Sequence, residues 1–194
     1  MNIDEFWKLI DDSDSREERQ QIRAAHLQEE LKRRPHSEII DFHAHFLALR
    51  QKVNTYRTWG AFGHLFGSPS TDSFLDFQAW LVGLGKESFD LASSDADSLC
   101  DVPQVREWVV RLMNPAFEAD PSIGYFPGFE LLAYVARRAY REKANGEATG
   151  FDNALSERGL EQMQEPADEY WDIQDGDEIA GRLPRTVAFL RSLF

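Results

Sequence analysis

The chain of 194 residues is 42% hydrophobic and carries 34 acidic against 21 basic side chains, a formal charge of −13. That length suits one domain with a sizeable core. The charge opposes the counterion displacement on which nucleic-acid binding rests, and no apolar stretch approaches the ~20 residues that span a bilayer, so neither nucleic acid nor membrane is expected as a partner.

In chain order, Ile3, Phe6, Trp7 and Ile10 fall at helical spacing, with Asp4 and Glu5 where a helix N-terminus favours acids. This first helix is predicted to end near Asp12. A second, from Ser15 to Arg33, has a thin stripe of Ile22, Ala25 and Leu31, should lie largely exposed, and stops at Pro35. Ser37 is the expected cap of a third helix, Glu38 to about Asn54, whose Ile39, Phe42, Phe46, Leu49 and Val53 mark a core face. The stretch WGAFGHLFG reads as a short helix or buried turn, ended by the loop at Gly67 to Ser70. Ser70 or Thr71 then caps a helix buried through Phe74, Phe77, Leu81 and Leu84, closed by Gly85 in a left-handed conformation. Short helices follow at Lys86 to Ala92 and Pro103 to Met113. The segment Asn114 to Gly128 is rich in Pro and Gly and reads as a long connection. Phe129 to Asn145 is predicted as one strong helix ended by Asn145-Gly146. A loop-rich acidic segment occupies about 146–176, and a last helix runs from Asp177 to Leu193, kinked at Pro184. With no alternating strand pattern, the fold class is all-α: one helical domain over residues 1–194 with about seven to nine helices.

The order of the blocks DEFWKLID, IIDFHAHFLALRQKV, WGAFGHLFGSPSTDSFLDFQAWLVGLG and FELLAYVARRAYREK, then EYWD and RLPR, resembles a bacterial family classed only as a domain of unknown function. The family is common in actinobacteria and sometimes fused to or encoded beside regulator-like modules. The stretches from Arg106 to Tyr125 and Asp152 to Asp168 look longer than that family's pattern. The resemblance implies no activity and carries over no catalytic residues.

The sharpest motif is Asp41-Phe42-His43-Ala44-His45, which resembles the D-x-H-x-H metal site of amidohydrolase-type enzymes. On a strand both imidazoles would reach one metal; on a helix they diverge by about 200°, and Asp41 pairs with His45 at i and i+4. The helical reading therefore makes these histidines structural fasteners. The loop Gly67-Ser68-Pro69-Ser70-Thr71-Asp72 lacks the P-loop pattern, and Asp72 would repel a phosphate, so an ordinary cap is expected there. Cys100 lies among Asp95, Asp97 and Asp101, which would raise its thiol pKa and leave it unreactive. Trp59, Trp80 and Trp108 either fill the core or line a pocket with Arg50, Asp72, Glu130 and Tyr134 as polar contacts. Tyr170 and Trp171 beside the acidic segment mark either an interface or an anchor for the C-terminal helix.

Cys100 has no partner for an intramolecular disulfide, and Asp4 and Glu5 ahead of Lys8 depart from a secretory start, so a cytoplasmic location is expected. Residues 152–178 hold ten acids against Arg158, a local charge of −9, which would suit a basic partner or a solvated loop. The expected function is a non-enzymatic protein-binding or regulatory module, toxin-neutralising in one version, with a basic protein partner and no cofactor or metal. The alternatives are a metal-dependent hydrolase on Asp41, His43 and His45, or a small-ligand sensor with an aromatic pocket.

Overall fold

A computed structural model describes residues 1–14, 20–67, 70–114, 126–160 and 165–194. Over those residues the chain is helical and has no strand. The helices are α1 (Ile3–Asp14), α2 (Gln20–Lys32), α3 (His36–Lys52), α4 (Tyr56–Phe66), α5 (Thr71–Gly83), α6 (Lys86–Ser94), α7 (Pro103–Leu112), α8 (Val135–Lys143), α9 (Thr149–Glu157), α10 (Gly176–Arg182) and α11 (Pro184–Arg191), with 3-10 turns at Ala96–Asp101 and Glu130–Tyr134. The all-α expectation holds. The count does not, because among the described residues eleven α-helices replace the expected seven to nine.

The extra elements have local causes. Pro184 lacks an N–H, and its ring would collide with the preceding turn, so the expected kinked helix is two helices broken at Leu183 (φ −131°, ψ 51°). The single helix expected at Phe129 to Asn145 begins instead as a 3-10 turn, since the Phe129 N–H is engaged by the Asp76 carbonyl of α5 at 3.0 Å. Its end is as expected, with Asn145 (φ 54°) and Gly146 (φ 103°) both left-handed. The acidic segment contains α9, which buries Phe151 and Leu155 against the rest of the chain. The Ser37 cap is not formed: α3 starts at His36 behind Pro35. The connection expected at Asn114 to Gly128 lies outside the described residues over 115–125, as do the start of the second helix at 15–19, residues 68–69 of the loop before α5, and 161–164 of the acidic segment.

The core is built around α5, which is buried nearly all round through Phe74, Phe77, Gln78, Trp80, Leu81 and Val82. The rings of Phe62 and Phe77 stack at 4.3 Å between centroids, and Trp59 stacks on Phe74 at 5.0 Å. The aromatic block from Trp59 to Trp80 is thus packing, held in offset geometries that add to area burial. Helix α2 is not the exposed element expected. Its buried stripe is Arg23, Ala24, Leu27 and Leu31, packed along α8, while Ile22 faces outward. The displaced stripe follows from Arg23, a buried cation that hydropathy counts as polar. Its guanidinium bonds the Gly83 carbonyl at 2.6 Å and Asp14 at 2.8 Å, and lies over the Phe129 ring. It satisfies a carbonyl at the end of α5, where positive charge is favoured.

Candidate functional site

The Asp41-His43-His45 motif lies on α3, and its side chains part. Asp41 accepts from the Met1 amine at 2.6 Å and from Arg158 at 2.9 Å. Burial raises the Asp41 pKa, but these two hydrogen bonds outweigh it and hold the carboxyl below its ordinary value. His45 Nε2 lies 3.2 Å from the Met1 carbonyl. His43 points elsewhere, between Phe46 and Phe151, with Nδ1 sealed from solvent and without a hydrogen-bond partner. Burial, aided by the charge of Arg50, lowers its pKa to about 4, and Asp152 only partly offsets this. Among the described residues no group of three His, Cys, Asp or Glu side chains is placed to hold a metal ion.

The other sequence candidates behave differently. Arg50, Asp72, Glu130 and Tyr134, which come from three separate segments, line one cleft of about 480 Å³ together with Leu75, Asp76, Ala79 and Ala133. Three features position them. Ser70 caps α5 by accepting from the Ser73 N–H at 3.1 Å, which fixes Asp72 in the first helical turn. Asp72, Asp76 and Ala79 follow at i, i+4 and i+7 on one face of α5. The Phe129 to Asp76 backbone bond lays the Glu130–Tyr134 turn alongside that face. Arg50 reaches the cleft from α3, its guanidinium over the Phe46 ring.

The cleft sets three carboxylates, Asp72, Asp76 and Glu130, against one guanidinium, an excess of two negative charges. Burial pushes the Asp76 carboxyl above its ordinary pKa; repulsion from Glu130 adds to this, Arg50 pulls the other way, and Asp72 contributes a further rise. Burial lowers the Arg50 pKa, opposed by Asp76 and Tyr134. The Glu130 charge raises the pKa of the Tyr134 phenol, which donates to Glu130 at 3.3 Å. Such a site favours a cation, which would relieve the mutual repulsion of the carboxylates.

Trp59, Trp80 and Trp108 are not brought to this cleft. Trp59 and Trp80 pack with Phe74 and Phe77, and Trp108 lies on α7 beneath Arg111. Tyr170 and Trp171 part in their burial. Trp171 is 4% exposed and packs on α4 and under Arg182, whereas Tyr170 is 70% exposed with its ring edge against Tyr56. Cys100 is buried, and its thiol pKa is raised by burial and by Asp97. Sequence reading missed Asp76, although its spacing from Asp72 was a usable signal.

The profile of a family described as "Protein of unknown function (DUF4240)" matches residues 1–142, a span that contains every side chain lining the cleft. No curated protein and no solved structure matches the chain.

Proposed function

The chain belongs to this family of unknown function, and we propose that it is a non-enzymatic, regulatory protein-binding module whose polar cleft takes up cationic side chains of a basic partner. The observation that carries this reading is the convergence of Asp72, Asp76 and Glu130 around the single countercharge of Arg50. A guanidinium or ammonium group entering there gains three carboxylate acceptors and the face of the Tyr134 ring, a combination suited to Arg above all. Glu157, Glu165, Glu169, Asp172 and Asp177 are exposed, and add to the field that draws such a partner in. The cleft volume also favours a second reading, a sensor of a small organic cation, since it lies within the range of small-molecule sites.

Calorimetric titration with a nona-arginine peptide tests the cleft. The triple variant Asp72→Asn, Asp76→Asn, Glu130→Gln should bind it about tenfold more weakly, from several partly exposed pairs each worth about 0.2–1 kcal/mol. Equal affinity in the two proteins would overturn the assignment. Thermal stabilisation by free arginine or spermidine, lost in the same variant, would favour the small-cation sensor over the protein-binding module.

A further inference from the structure

Beside the cleft, and sharing Tyr134 with it, lies a second opening of about 260 Å³ lined by Tyr134, Arg137, Arg138 and Arg141. In a chain of formal charge −13, this is a concentration of positive charge on one helix. Arg137 is held by Asp152 through two bonds, of 3.1 and 2.7 Å. Arg138 lies over the Tyr134 ring at 5.5 Å. Both Arg138 and Arg141 are exposed, and neither makes an ion pair among the described residues. The two openings therefore form one stripe along the Glu130–Tyr134 turn and α8, negative at its start, positive at its end, with a 43% exposed aromatic between.

In sequence the stripe is evenly spaced about Tyr134, and in space the two arms differ by about 2 Å, which long side chains can take up. Glu130 precedes Tyr134 by four residues and Arg138 follows it by four. They stand about 8 Å and about 6 Å from it along the axis, at the rises of a 3-10 and an α-helix respectively. A surface whose charge reverses about a central point is complementary to its own copy turned by a two-fold axis, the requirement of an isologous interface. With two such helices antiparallel and the axis at Tyr134, Glu130 of each copy meets Arg138 of the other. Arg141, about 10 Å from Tyr134 along the axis, then lies on the Glu130 side of the partner, toward the acidic cleft, and the two tyrosine rings meet at the centre.

We propose that this stripe is a self-association surface, and that the arginine row of a second copy of the chain occupies the acidic cleft. This rests on the reading of the cleft as a receptor for cationic side chains and names one occupant. It also makes self-association compete with capture of any other basic partner.

The test is sedimentation equilibrium on the full chain at roughly 100 µM, a concentration suited to micromolar association. The expected species is twice the 22.3 kDa of one chain. R138E/R141E should weaken dimerisation at least tenfold, as should D72R/E130R, and mixing the two variants should restore a heterodimer because the reversed charges again face their opposites. All four positions are exposed, and circular dichroism checks that each variant is folded. A monomeric wild type would overturn the proposal, as would a dimer indifferent to both reversals or variants that fail to rescue one another. Nona-arginine binding to the R138E/R141E protein distinguishes the two readings: if the peptide binds while wild type stays monomeric, the cleft reading stands and self-association falls.

Discussion

His43 shows how one side chain links the burial pattern to a measurable pH dependence. Its ring sits between Phe46 and Phe151, with the Arg50 charge nearby and Asp152 the opposing one. Its pKa falls from 6.5 to about 4 on folding, so the native state holds the neutral ring. The stability this gives is complete above pH 6.5 and is lost as the pH falls toward 4, because over that window the unfolded chain takes up a proton that the folded chain refuses. Between pH 7 and pH 5 the loss amounts to about 2 kcal/mol. His43→Phe keeps the aromatic packing and removes the titration. Its urea midpoint should therefore fall less than that of wild type over this interval, and parallel pH profiles for the two proteins would refute the assignment. The sequence marked His43 through a metal motif, but its chemistry comes from a helix that separates it from Asp41 and His45.

At the scale of elements, the order along the chain was legible wherever the determinants are local. The apolar stripe of α3, the Ser70 cap of α5, the left-handed Gly85 and the Asn145-Gly146 end are all written within a few residues of where they act. What stayed hidden is supplied from a distance. The first turn of α4 has Thr55 on the Thr58 N–H, but its Tyr56 and Arg57 N–H groups donate to Asp168 at 2.6 and 3.0 Å. Helix α11 has no side-chain cap of its own. Pro184 brings no donor, and the Arg185 and Thr186 N–H groups both donate to the buried Asp97 at 2.8 Å. No local pattern reveals such caps. The docking of the C-terminal segment on α4 has the same non-local character. A Cβ built on Gly60 would stand 2.5 and 2.6 Å from two ring atoms of Trp171. In an exposed helix, replacing Gly by Ala would stabilise by about 1 kcal/mol. Here Gly60→Ala should destabilise by about 1–3 kcal/mol through overpacking, and red-shift the tryptophan emission as Trp171 is displaced. In a Trp171→Ala background the same change should stabilise, so the sign of its effect in thermal melts reports whether this contact governs the position. A stabilising Gly60→Ala in the wild-type chain would show that it does not.

Over the whole molecule, the polar half of the candidate site was legible and its walls were not. Arg50, Asp72, Glu130 and Tyr134 stand out as polar groups bordering apolar stripes, but the tryptophans expected around them have larger apolar surfaces, and the core claims Trp59 and Trp80. The acidic segment divides in a way that charge counting cannot foresee. Asp152 pairs with Arg137, Asp168 caps α4, Asp175 caps α10 and Glu178 pairs with Arg182, so these carboxylates serve the fold. Among the described residues, the side chains of Glu165, Glu169 and Asp177 are exposed and have no such task, and that of Asp172 bonds only the nearby Gln174 N–H. Neutralising Glu165, Glu169, Asp172 and Asp177 together should therefore leave the melting temperature nearly unchanged while reducing the long-range attraction of a basic partner. Exposed charges away from direct contact act mainly on association rate, and at about 0.15 M salt their reach is about 8 Å. Stopped-flow mixing with nona-arginine at low salt should thus show a severalfold slower association for the fourfold variant, and the two proteins should converge as salt is raised toward about 1 M, where the screening length is about 3 Å. Asp168→Asn should give the opposite pattern, a loss of about 1 kcal/mol of stability with little change in rate. Equal association rates for the fourfold variant and wild type at low salt would remove the acidic segment from the binding reading and leave the cleft to act alone.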